Sequence, residues 1–277
     1  MTERLLIIIV LYQIKLEDTL TFKSLAALVE AGSVLNLFVY DNSPLKQFQE
    51  KEIHGFNIKY IHDSKNSGIS KAYNAGAEYA GQHHKEILLL LDQDSDLPDD
   101  FLKVIFEQLS LYPSIQLFAP ILKQGTLILS PCKFTYMKGS SLSQIEGGIK
   151  SLKNISIFNS GIVIKLNAYY KSGGYNELIK LDFSDHYFIH QFKKHYEQFV
   201  VLPVVVEHEL SSHTLDEAKI LRRFNQYCEG VKAYKSLEGH GLLLFFWTSL
   251  RAIKLTIQFR NPEFAMVFMN KFITGNK

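Results

Sequence analysis

The first hundred residues alternate short apolar runs with stretches of helical periodicity. Each apolar run is typical of a buried strand, and each periodic stretch predicts a helix with one apolar face. The predicted strands are Leu5–Tyr12, Val34–Tyr40, Ile58–Ile61 and Glu86–Leu91, and the predicted helices begin near Thr19, Ser70 and Pro98. Because such alternation is typical of a mostly parallel sheet covered by helices on both faces, we predict a Rossmann-like α/β fold.

The rest of the chain is less regular. Further strands are predicted over 115–122, 126–129, 158–164 and 199–206, and residues 138–151, which are rich in Gly and Ser, predict a mobile loop. The segment Asn159-Ser160-Gly161 lies inside one of these strands, where a glycine indicates either a close backbone approach or a bulge. From Asp216 onward the pattern is helical. We therefore expect a domain at 1–215, with halves 1–112 and 113–215, and a helical extension at 216–277.

Polar clusters follow three of the predicted strands. Asp41-Asn42 comes after the second strand, Asp63 and Asn66 after the third, and Asp92-Gln93-Asp94 after the fourth. Ligands of such sheets bind outside the carboxyl ends of the strands, so three clusters at one edge favour a binding site. The alternative is that these are ordinary polar loops.

The segment Asp92-Gln93-Asp94 delivers two carboxylates at the end of a buried strand. Alternate residues of a strand share a face, and two carboxylates held together favour a bound cation. Mg²⁺ and Mn²⁺ prefer oxygen ligands and commonly combine one or two carboxylates with substrate phosphates. The alternative is a turn that caps the helix after Pro98.

Two further groups could take part in chemistry. Asp182 and Asp185 lie where a helix begins. Asp182 or Ser184 could cap this helix, and an ionised Asp185 in its first turn could act as a general base. The alternative is that both Asp residues only cap the helix. His208 and His213 follow the strand that ends near Val206 and could complete a metal site, although a lone histidine is more often structural.

Composition excludes several classes of protein. Thirty Lys and Arg stand against 28 Asp and Glu, and a formal charge of +2 argues against a protein that binds nucleic acid by bulk charge. Two cysteines exclude a disulfide scaffold and a multi-cysteine zinc site. The run Leu5–Leu11 is too short for a signal peptide and lacks a cleavage site, and Arg251 and Lys254 interrupt the apolar stretch Gly241–Phe259. A cytoplasmic location is therefore expected.

Four segments, taken in order, resemble family 2 glycosyltransferases with the GT-A fold, especially the rhamnosyltransferase-like branch. They are Val39-Tyr40-Asp41-Asn42-Ser43, the run from Asn66 to Gly76, Leu91-Asp92-Gln93-Asp94-Ser95, and Asn159-Ser160-Gly161 followed by Asp182-Phe183-Ser184-Asp185. Each segment alone is weak, but their combination and order are specific, and they cover roughly residues 4–215. The resemblance implies an inverting, Mg²⁺- or Mn²⁺-dependent transfer of a sugar from a UDP- or dTDP-linked donor. The implied acceptor is a glycan or lipid-linked glycan of a bacterial surface polysaccharide such as O-antigen.

The resemblance also implies roles for individual residues. The implied donor-binding residues are Tyr12, Asp41, Asn66, Gly68, Lys71, Asp92 and Gln93, the implied metal contacts are Asp94, Asp92 and His208, and the implied catalytic residues are Asp185 and Asp182. Within this set Asp41 would read the nucleotide base and Asp185 would be the base that accepts the acceptor's proton. Many family members carry Glu-Asp at the position of the base, whereas this chain has Asp-Phe-Ser-Asp, so the choice between Asp182 and Asp185 remains open.

The helical extension is basic and aromatic. Residues 219–260 hold eight Lys and Arg against two Glu, a net charge of +6, and include the run Leu242-Leu243-Leu244-Phe245-Phe246-Trp247. This composition suits peripheral contact with an anionic membrane at the inner face of the cell membrane. The alternative is a helical hairpin that packs on the catalytic domain or on a second subunit of a homo-oligomer.

Two other functions compete with glycosyl transfer. A nucleotidyltransferase usually carries a glycine-rich loop directly after its first strand, and Tyr12-Gln13-Ile14-Lys15 contains no glycine. A catalytically silent nucleotide- or glycan-binding subunit of a membrane complex is the second alternative, and the intact acidic motifs argue against it.

Overall fold

The structure, a computed structural model, describes residues 2–30, 32–49, 51–208 and 216–274. The strands are β1 (Leu5–Leu11), β2 (Leu35–Asp41), β3 (Phe56–His62), β4 (Ile87–Asp92), β5 (Ser95–Asp96), β6 (Leu117–Gln124), β7 (Leu127–Ser130), β8 (Cys132–Thr135), β9 (Lys138–Ser140), β10 (Gly148–Ser151), β11 (Ile155–Ser156), β12 (Val163–Lys165) and β13 (Gln198–His208). The α-helices are α1 (Leu20–Ala27), α2 (Ile69–Gln82), α3 (Phe101–Leu111), α4 (Leu166–Lys171), α5 (Ser184–Phe192), α6 (Glu217–Glu238), α7 (Gly241–Phe259) and α8 (Glu263–Phe272).

The central sheet has the order β10-β13-β6-β12-β4-β1-β2-β3. The half formed by β4, β1, β2 and β3 is parallel throughout, and β6 and β13 are parallel to each other. Strand β12 is antiparallel to both of its neighbours, β4 and β6, and β10 is antiparallel to β13 at the edge. The predicted mostly parallel α/β sheet is confirmed, with β12 as an antiparallel join between its two parallel parts.

The core lies on both faces of this sheet. Every residue of β1 is buried, and its successive side chains alternate between two apolar clusters. One cluster holds Ile7 and Ile9 together with residues of α1 and α3, and the other holds Leu6 and Ile8 together with residues of α2 and α5. Burial on both faces explains why the central strands have continuous apolar sequences without a polar alternation.

Several local predictions are wrong at the level of single elements. Residues 138–151 are not one loop, because β9 and β10 bracket them and pair with β8 and β13. The strand predicted over 158–164 shrinks to β12, and α3 begins at Phe101 rather than at Pro98. The turn after β4 does not cap α3, since Ser95 and Asp96 pair with β13 as strand β5.

The C-terminal helices α6, α7 and α8 pack on one another around Phe224, Cys228, Ala252, Phe264 and Phe268. A second cluster joins this three-helix unit to the rest of the chain. In that cluster Ile179 and Phe183, from the segment before α5, pack with Val231, Tyr234 and Leu244. Helix α6 and one side of α7 therefore pack on the preceding domain, as one of the two alternatives for the extension predicted.

Candidate active site

The carboxyl ends of β1, β2 and β4 meet at one edge of the sheet. The register pairs Leu11 with Asp41 and Val10 with Asp92, and it pairs Asp41 with His62 of β3. The predicted donor-binding residues that follow these strands are therefore neighbours. Tyr12, at the end of β1, is 45 % exposed at this edge.

Gln93 ties the ends of β1 and β4 together. Its Oε1 accepts a hydrogen bond from the Tyr12 amide at 2.7 Å, and its Nε2 donates to the Tyr12 carbonyl at 3.3 Å. Both polar atoms of Gln93 are thus paired with the backbone of Tyr12. Contact of Gln93 with a donor stays a prediction, and its role in the described contacts is to hold the Tyr12 backbone.

Asp41 is fully buried and accepts three hydrogen bonds. The donors are the Ser43 amide at 2.9 Å, the Gln47 amide at 2.8 Å and the Tyr60 hydroxyl at 2.5 Å. The carboxylate therefore folds the loop after β2 around itself. That Asp41 reads a nucleotide base stays a prediction, one that has to compete with these contacts.

The neighbouring residue, Asn42, was not singled out by sequence reasoning. It is 3 % exposed, and its Oδ1 has no hydrogen-bond partner among the described residues. A buried acceptor left unpaired is rare in proteins. The position of Asn42, directly after Asp41 at the carboxyl end of β2, is the sequence signal that could have identified it.

Asp63 shapes the loop that carries Asn66. Its carboxylate accepts hydrogen bonds from the Tyr40 hydroxyl and from the amides of Lys65 and Ser67, each at 3.0 Å. Partial burial raises the pKa of Asp63, but the bonds from Ser67, Tyr40 and Lys65 outweigh burial and hold that pKa below its usual value. Asn66 adopts a left-handed conformation with φ of 50°, which fixes the turn into α2.

Gly68 and Lys71 bring α2 against the segment that leads to α5. Gly68 has φ of +100°, and a Cβ built there would lie 2.3 Å from the Lys180 carbonyl oxygen, so no other residue fits without a shift of backbone. The Ile69 amide donates to that carbonyl at 2.8 Å. Lys71 pairs with Glu177 at 3.4 Å, where both side chains are 46 % exposed. These residues join the two halves of the fold, and donor contact by them stays a prediction.

Hydrogen bonds from buried residues hold the turn from Asp92 to Ser95. The fully buried Thr21 donates to the Asp92 carbonyl at 2.5 Å and accepts from the Ser95 amide at 2.9 Å. The hydroxyls of Ser95 and Ser160 are 2.5 Å apart. The Asp92 carboxylate accepts a hydrogen bond from the buried Tyr73 hydroxyl at 3.2 Å. The turn is thus held rigidly, with both acidic side chains half-exposed at the sheet edge.

The segment Asn159-Ser160-Gly161 supports this turn. Gly161 has φ of +82°, and a Cβ there would lie 2.5 Å from Pro120 Cγ, so the close approach that its glycine predicted is to β6. Asn159 Oδ1 accepts from the Tyr175 hydroxyl at 2.6 Å. The segment therefore fixes the position of the turn through contacts with β6 and Tyr175.

The acidic turn suits a divalent cation. Strand β13 places residue 208 opposite Ser95, so the backbone of His208 lies beside the residue that follows Asp94. Two carboxylates with an adjacent histidine are a chemically suitable donor set for Mn²⁺. The His208 side chain and His213 lie outside the described residues, and the described part of the chain holds no group of three metal-ligating side chains.

Asp185 lies in the first turn of α5, with its side chain 19 % exposed. Its Oδ1 accepts a hydrogen bond from the His186 amide at 2.6 Å. Tyr73 links this carboxylate to the acidic turn: burial, the neighbouring Asp92 and, to a lesser extent, Asp185 raise the pKa of the Tyr73 hydroxyl well above its usual value. Contacts of Asn159 and Ser160 connect the two regions: the Asp92 amide donates to Ser160 Oγ at 3.4 Å, and Asn159 Nδ2 donates to the hydroxyl of Ser184, the residue before Asp185, at 3.3 Å.

Asp182 is placed differently. Its Oδ1 accepts a hydrogen bond from Arg223 of α6 at 3.0 Å, and its Oδ2 is buried with no hydrogen-bond partner among the described residues. Burial raises its pKa, and Arg223 and Arg251 offset only part of this effect. The prediction that Asp182 or Ser184 caps α5 is wrong. Phe183 occupies the cap position with φ of 72°, and Asp182 pairs with Arg223 instead.

His186 is a second residue that sequence reasoning missed. Its Nδ1 lies 2.7 Å from the Ser156 hydroxyl, and its ring stacks on Phe134 with centroids 4.1 Å apart. Ser156 and Phe134 belong to the small sheet β11-β8-β9. No local pattern could have found this contact, since the partners lie 30 and 52 residues away in sequence.

Comparisons with known proteins bear on this site. The family model described as "Glycosyl transferase family 2" matches residues 7–125. No curated protein sequence matches the chain.

Solved structures of similar shape do exist. S. aureus TarS 1–349 is 14 % identical and has a TM-score of 0.55, covering 98 % of this chain and 81 % of that one. GalNAc-T7 with UDP, GalNAc and Mn²⁺ is 13 % identical with a TM-score of 0.60, covering 98 % of this chain and 57 % of that one. The mannosyltransferase PcManGT from Pyrobaculum calidifontis, in complex with GDP-Man and Mn²⁺, is 12 % identical with a TM-score of 0.55, covering 99 % and 88 %.

The solved structures bear on the whole chain, and the family model bears on residues 7–125 alone. At these identities the structural likenesses establish the fold alone, which is GT-A with the C-terminal helices α6–α8 added. The match to the glycosyltransferase family 2 model covers residues 7–125, which contain the predicted Asp-x-Asp turn.

Proposed function

We propose that the protein transfers a sugar from a nucleoside diphosphate to an acceptor hydroxyl with inversion at the anomeric carbon. The observation that carries this proposal is that the adjacent residues Asn159 and Ser160 contact both the turn that begins at Asp92 and the start of α5, which bears Asp185. One carboxylate belongs to the turn suited to a cation and a diphosphate, and the other belongs to a helix start that can supply a base. An inverting transfer needs these two functions on opposite sides of one sugar, and it needs no nucleophile from the protein.

The chemistry is a single displacement. The acceptor oxygen forms a bond to the anomeric carbon while the bond from that carbon to the phosphate oxygen breaks, and the electron pair leaves with the diphosphate. The acceptor's proton passes to the Asp185 carboxylate. Asp94, Asp92 and His208 would hold the Mg²⁺ or Mn²⁺ ion, which supplies Lewis-acid neutralisation of the leaving diphosphate when bound. The bonds from Thr21 and Tyr73 would keep the turn that bears these acids in one geometry.

The two candidates for the base differ in their surroundings. Asp182 already pairs with Arg223, and its pKa is raised by burial. Asp185 lies near the Asp-x-Asp turn, which favours it as the base. We therefore assign Asp182 a positioning role, holding the segment before α5 on the C-terminal helices.

Relatives support a nucleotide donor but leave the sugar open. TarS 1–349 has been solved with UDP-GlcNAc and PcManGT with GDP-Man. We propose a UDP- or dTDP-linked donor for this chain, with GDP as the competitor to test. Rhamnose as the sugar remains a prediction of the sequence. A glycan or lipid-linked glycan acceptor, and a cytoplasmic site of action in surface polysaccharide synthesis, are likewise proposals.

A matched pair of variants tests the assignment of the base. Asp185→Asn should lower kcat about 10²- to 10⁴-fold, the usual contribution of a general base, while the affinity for the donor nucleotide stays within about twofold. Asp182→Asn should lower the melting temperature and retain far more turnover. If Asp185→Asn retains wild-type kcat and Asp182→Asn loses it, the assignment is reversed.

Thermal stabilisation by UDP, dTDP and GDP, each with Mn²⁺ or EDTA, tests the donor site. Stabilisation by one of these nucleotides should be lost with EDTA and in Asp94→Ala. Nucleotide binding without transfer to any glycan acceptor would favour the silent binding subunit over an enzyme.

A further inference from the structure

Helix α7 exposes an unbroken apolar stripe. Leu242, Phe246, Leu250, Ile253 and Ile257 follow one another at spacings of four, four, three and four residues, which places them on one side of the helix. Their exposed fractions range from 44 % to 89 %. The stripe spans four turns, about 22 Å along the helix axis. We call these five residues the α7 stripe.

The opposite side of α7 is already used. Leu244, Thr248 and Ala252 are its buried residues, and they face the neighbouring helices and the segment before α5. The helix therefore has two apolar sides, of which the described residues cover only one. Exposed apolar surface arranged in a contiguous stripe marks an interaction site more often than scattered residues do. Helix α8 adds the exposed Met266, Met269 and Ile273.

The charge around the α7 stripe is positive. Helix α7 contains Arg251 and Lys254 and no acidic residue. Arg251 is directed at α6, where its guanidinium lies 4.2 Å from the centre of the Tyr227 ring, whereas Lys254 is exposed beside the stripe. A helix with an exposed apolar stripe, an exposed lysine and no acidic residue of its own is complementary to a surface of anionic headgroups over hydrocarbon.

The rim of the stripe carries amphipathic aromatic residues. Trp247 donates its indole N–H to the Tyr136 carbonyl at 2.9 Å, and the Lys138 ammonium lies 4.4 Å from the centre of the indole ring. Tyr136 itself is 79 % exposed. Tyrosine and tryptophan beside lysine are the residues that favour the boundary between hydrocarbon and water.

We infer that the α7 stripe docks the protein onto an anionic lipid bilayer, with α7 lying along the surface. Helix α7 is long and apolar enough to cross a bilayer, the one such helix among the described residues. Crossing would however require Leu244, Thr248 and Ala252 to leave α6 and α8 and would break the bond between Trp247 and Tyr136. A helix lying in the interface keeps all of these contacts and buries only the stripe.

The bound orientation would bring the candidate base near the membrane. The β8–β9 hairpin, which carries Tyr136 and Lys138 at the rim, belongs to the same small sheet as Ser156. Ser156 contacts His186, the residue next to Asp185. An acceptor presented from the lipid surface would thus approach the Asp185 side of the site. The docking itself does not depend on the proposed function.

The test is sedimentation of the full chain with vesicles of phosphatidylcholine and phosphatidylglycerol. Leu250→Glu/Ile253→Glu should weaken vesicle binding at least about tenfold, because the replaced side chains withdraw several CH₂ groups from hydrocarbon and add like charge. The matched control is Gln258→Glu/Ser236→Glu, which adds the same charge at exposed positions outside the α7 stripe and the apolar residues of α8, and it should stay within about twofold of wild type. Equal melting temperatures of the three proteins establish that all are folded.

Four results would overturn the inference. They are a wild type that stays in the supernatant, equal loss in both double variants, a protein that alkaline carbonate cannot extract from membranes, and a solution dimer that the stripe variant alone dissociates. The third result would indicate a crossing helix and the fourth a second copy of the chain over the stripe. Nucleotide-induced stabilisation, measured in parallel, is independent of the stripe, so failure of the donor site and failure of docking are separable.

Discussion

Replacing Asp41 by asparagine asks whether this residue serves the fold or the ligand. Asn has one acceptor oxygen, whereas the Asp41 carboxylate accepts from Ser43, Gln47 and Tyr60. In either orientation of the new amide, one backbone N–H of the loop faces another donor. The Tyr60 hydroxyl can adapt by rotating, but the N–H of Ser43 or Gln47 cannot.

The magnitude follows from these contacts. A hydrogen bond to a charged group contributes about 1.5–3 kcal/mol, and a buried donor left unpaired costs about 1–3 kcal/mol. We expect Asp41→Asn to lower the free energy of unfolding by about 3 kcal/mol. At roughly 2–4 °C per kcal/mol for a chain of this size, the melting temperature should fall by about 6–12 °C.

The assay combines thermal unfolding with nucleotide binding measured well below the melting temperature. Tyr60→Phe is the control, since it removes one donor and leaves the other two bonds to Asp41 intact, so its effect should be smaller. The double variant should show a coupling energy of about 0.5–3 kcal/mol between the two residues. If Asp41→Asn melts within about 1 °C of wild type and yet loses tenfold or more in nucleotide affinity, Asp41 reads the base and the structural reasoning is refuted.

Two further predictions concern ionisable groups. Because the pKa of Asp63 is lowered in the folded protein, its ionised carboxylate stabilises the fold fully above its unfolded pKa, about 3.9, and this stability is lost as the pH falls through the lower folded value. In urea titrations from pH 6 down to pH 2, Asp63→Asn should therefore lose less stability on acidification than wild type. An unchanged dependence of stability on pH would contradict this. Burial, with a smaller contribution from Asp185, raises the pKa of Cys132 to about 12, so at pH 8 its thiolate fraction should be about a thousandfold below that of a free cysteine. Iodoacetamide should therefore modify Cys132 only after the protein unfolds. Rapid labelling of the native protein would contradict this and show that the thiol is accessible.

The parallel half of the sheet was predictable because its signals are local. Strands β1 and β4 are buried on both faces, so their sequences are continuous apolar runs, and the acidic groups that follow them mark the strand ends. The Asp-x-Asp turn could be placed for the same reason. The short strands β9, β10 and β11 were not predicted. Strands β9 and β10 are formed by polar and glycine-containing residues, and β10 and β11 pair with the sequence-distant strands β13 and β8.

The same contrast between local and long-range signals applies to the residues of the candidate site. Sequence reasoning located Asp92, Asp94 and Asp185, each of which stands at the end or start of a recognisable element. It could not distinguish Asp182 from Asp185, because the difference depends on Arg223, 41 residues later in the chain. The unpaired oxygen of Asn42 depends on how the loop folds around Asp41, which no spacing encodes.

The ion pair between Asp182 and Arg223 makes the C-terminal helices part of the structural support of the candidate site. A fragment ending at residue 215 would lose Arg223 and Arg251, leaving a buried carboxylate without its positive neighbours, and would uncover Ile179 and Phe183 beside it. The segment so exposed leads directly into the helix that bears Asp185. Shortened versions of this protein should therefore retain α6 and α7, and an inactive fragment would not test the proposed roles of the site residues that it still contains.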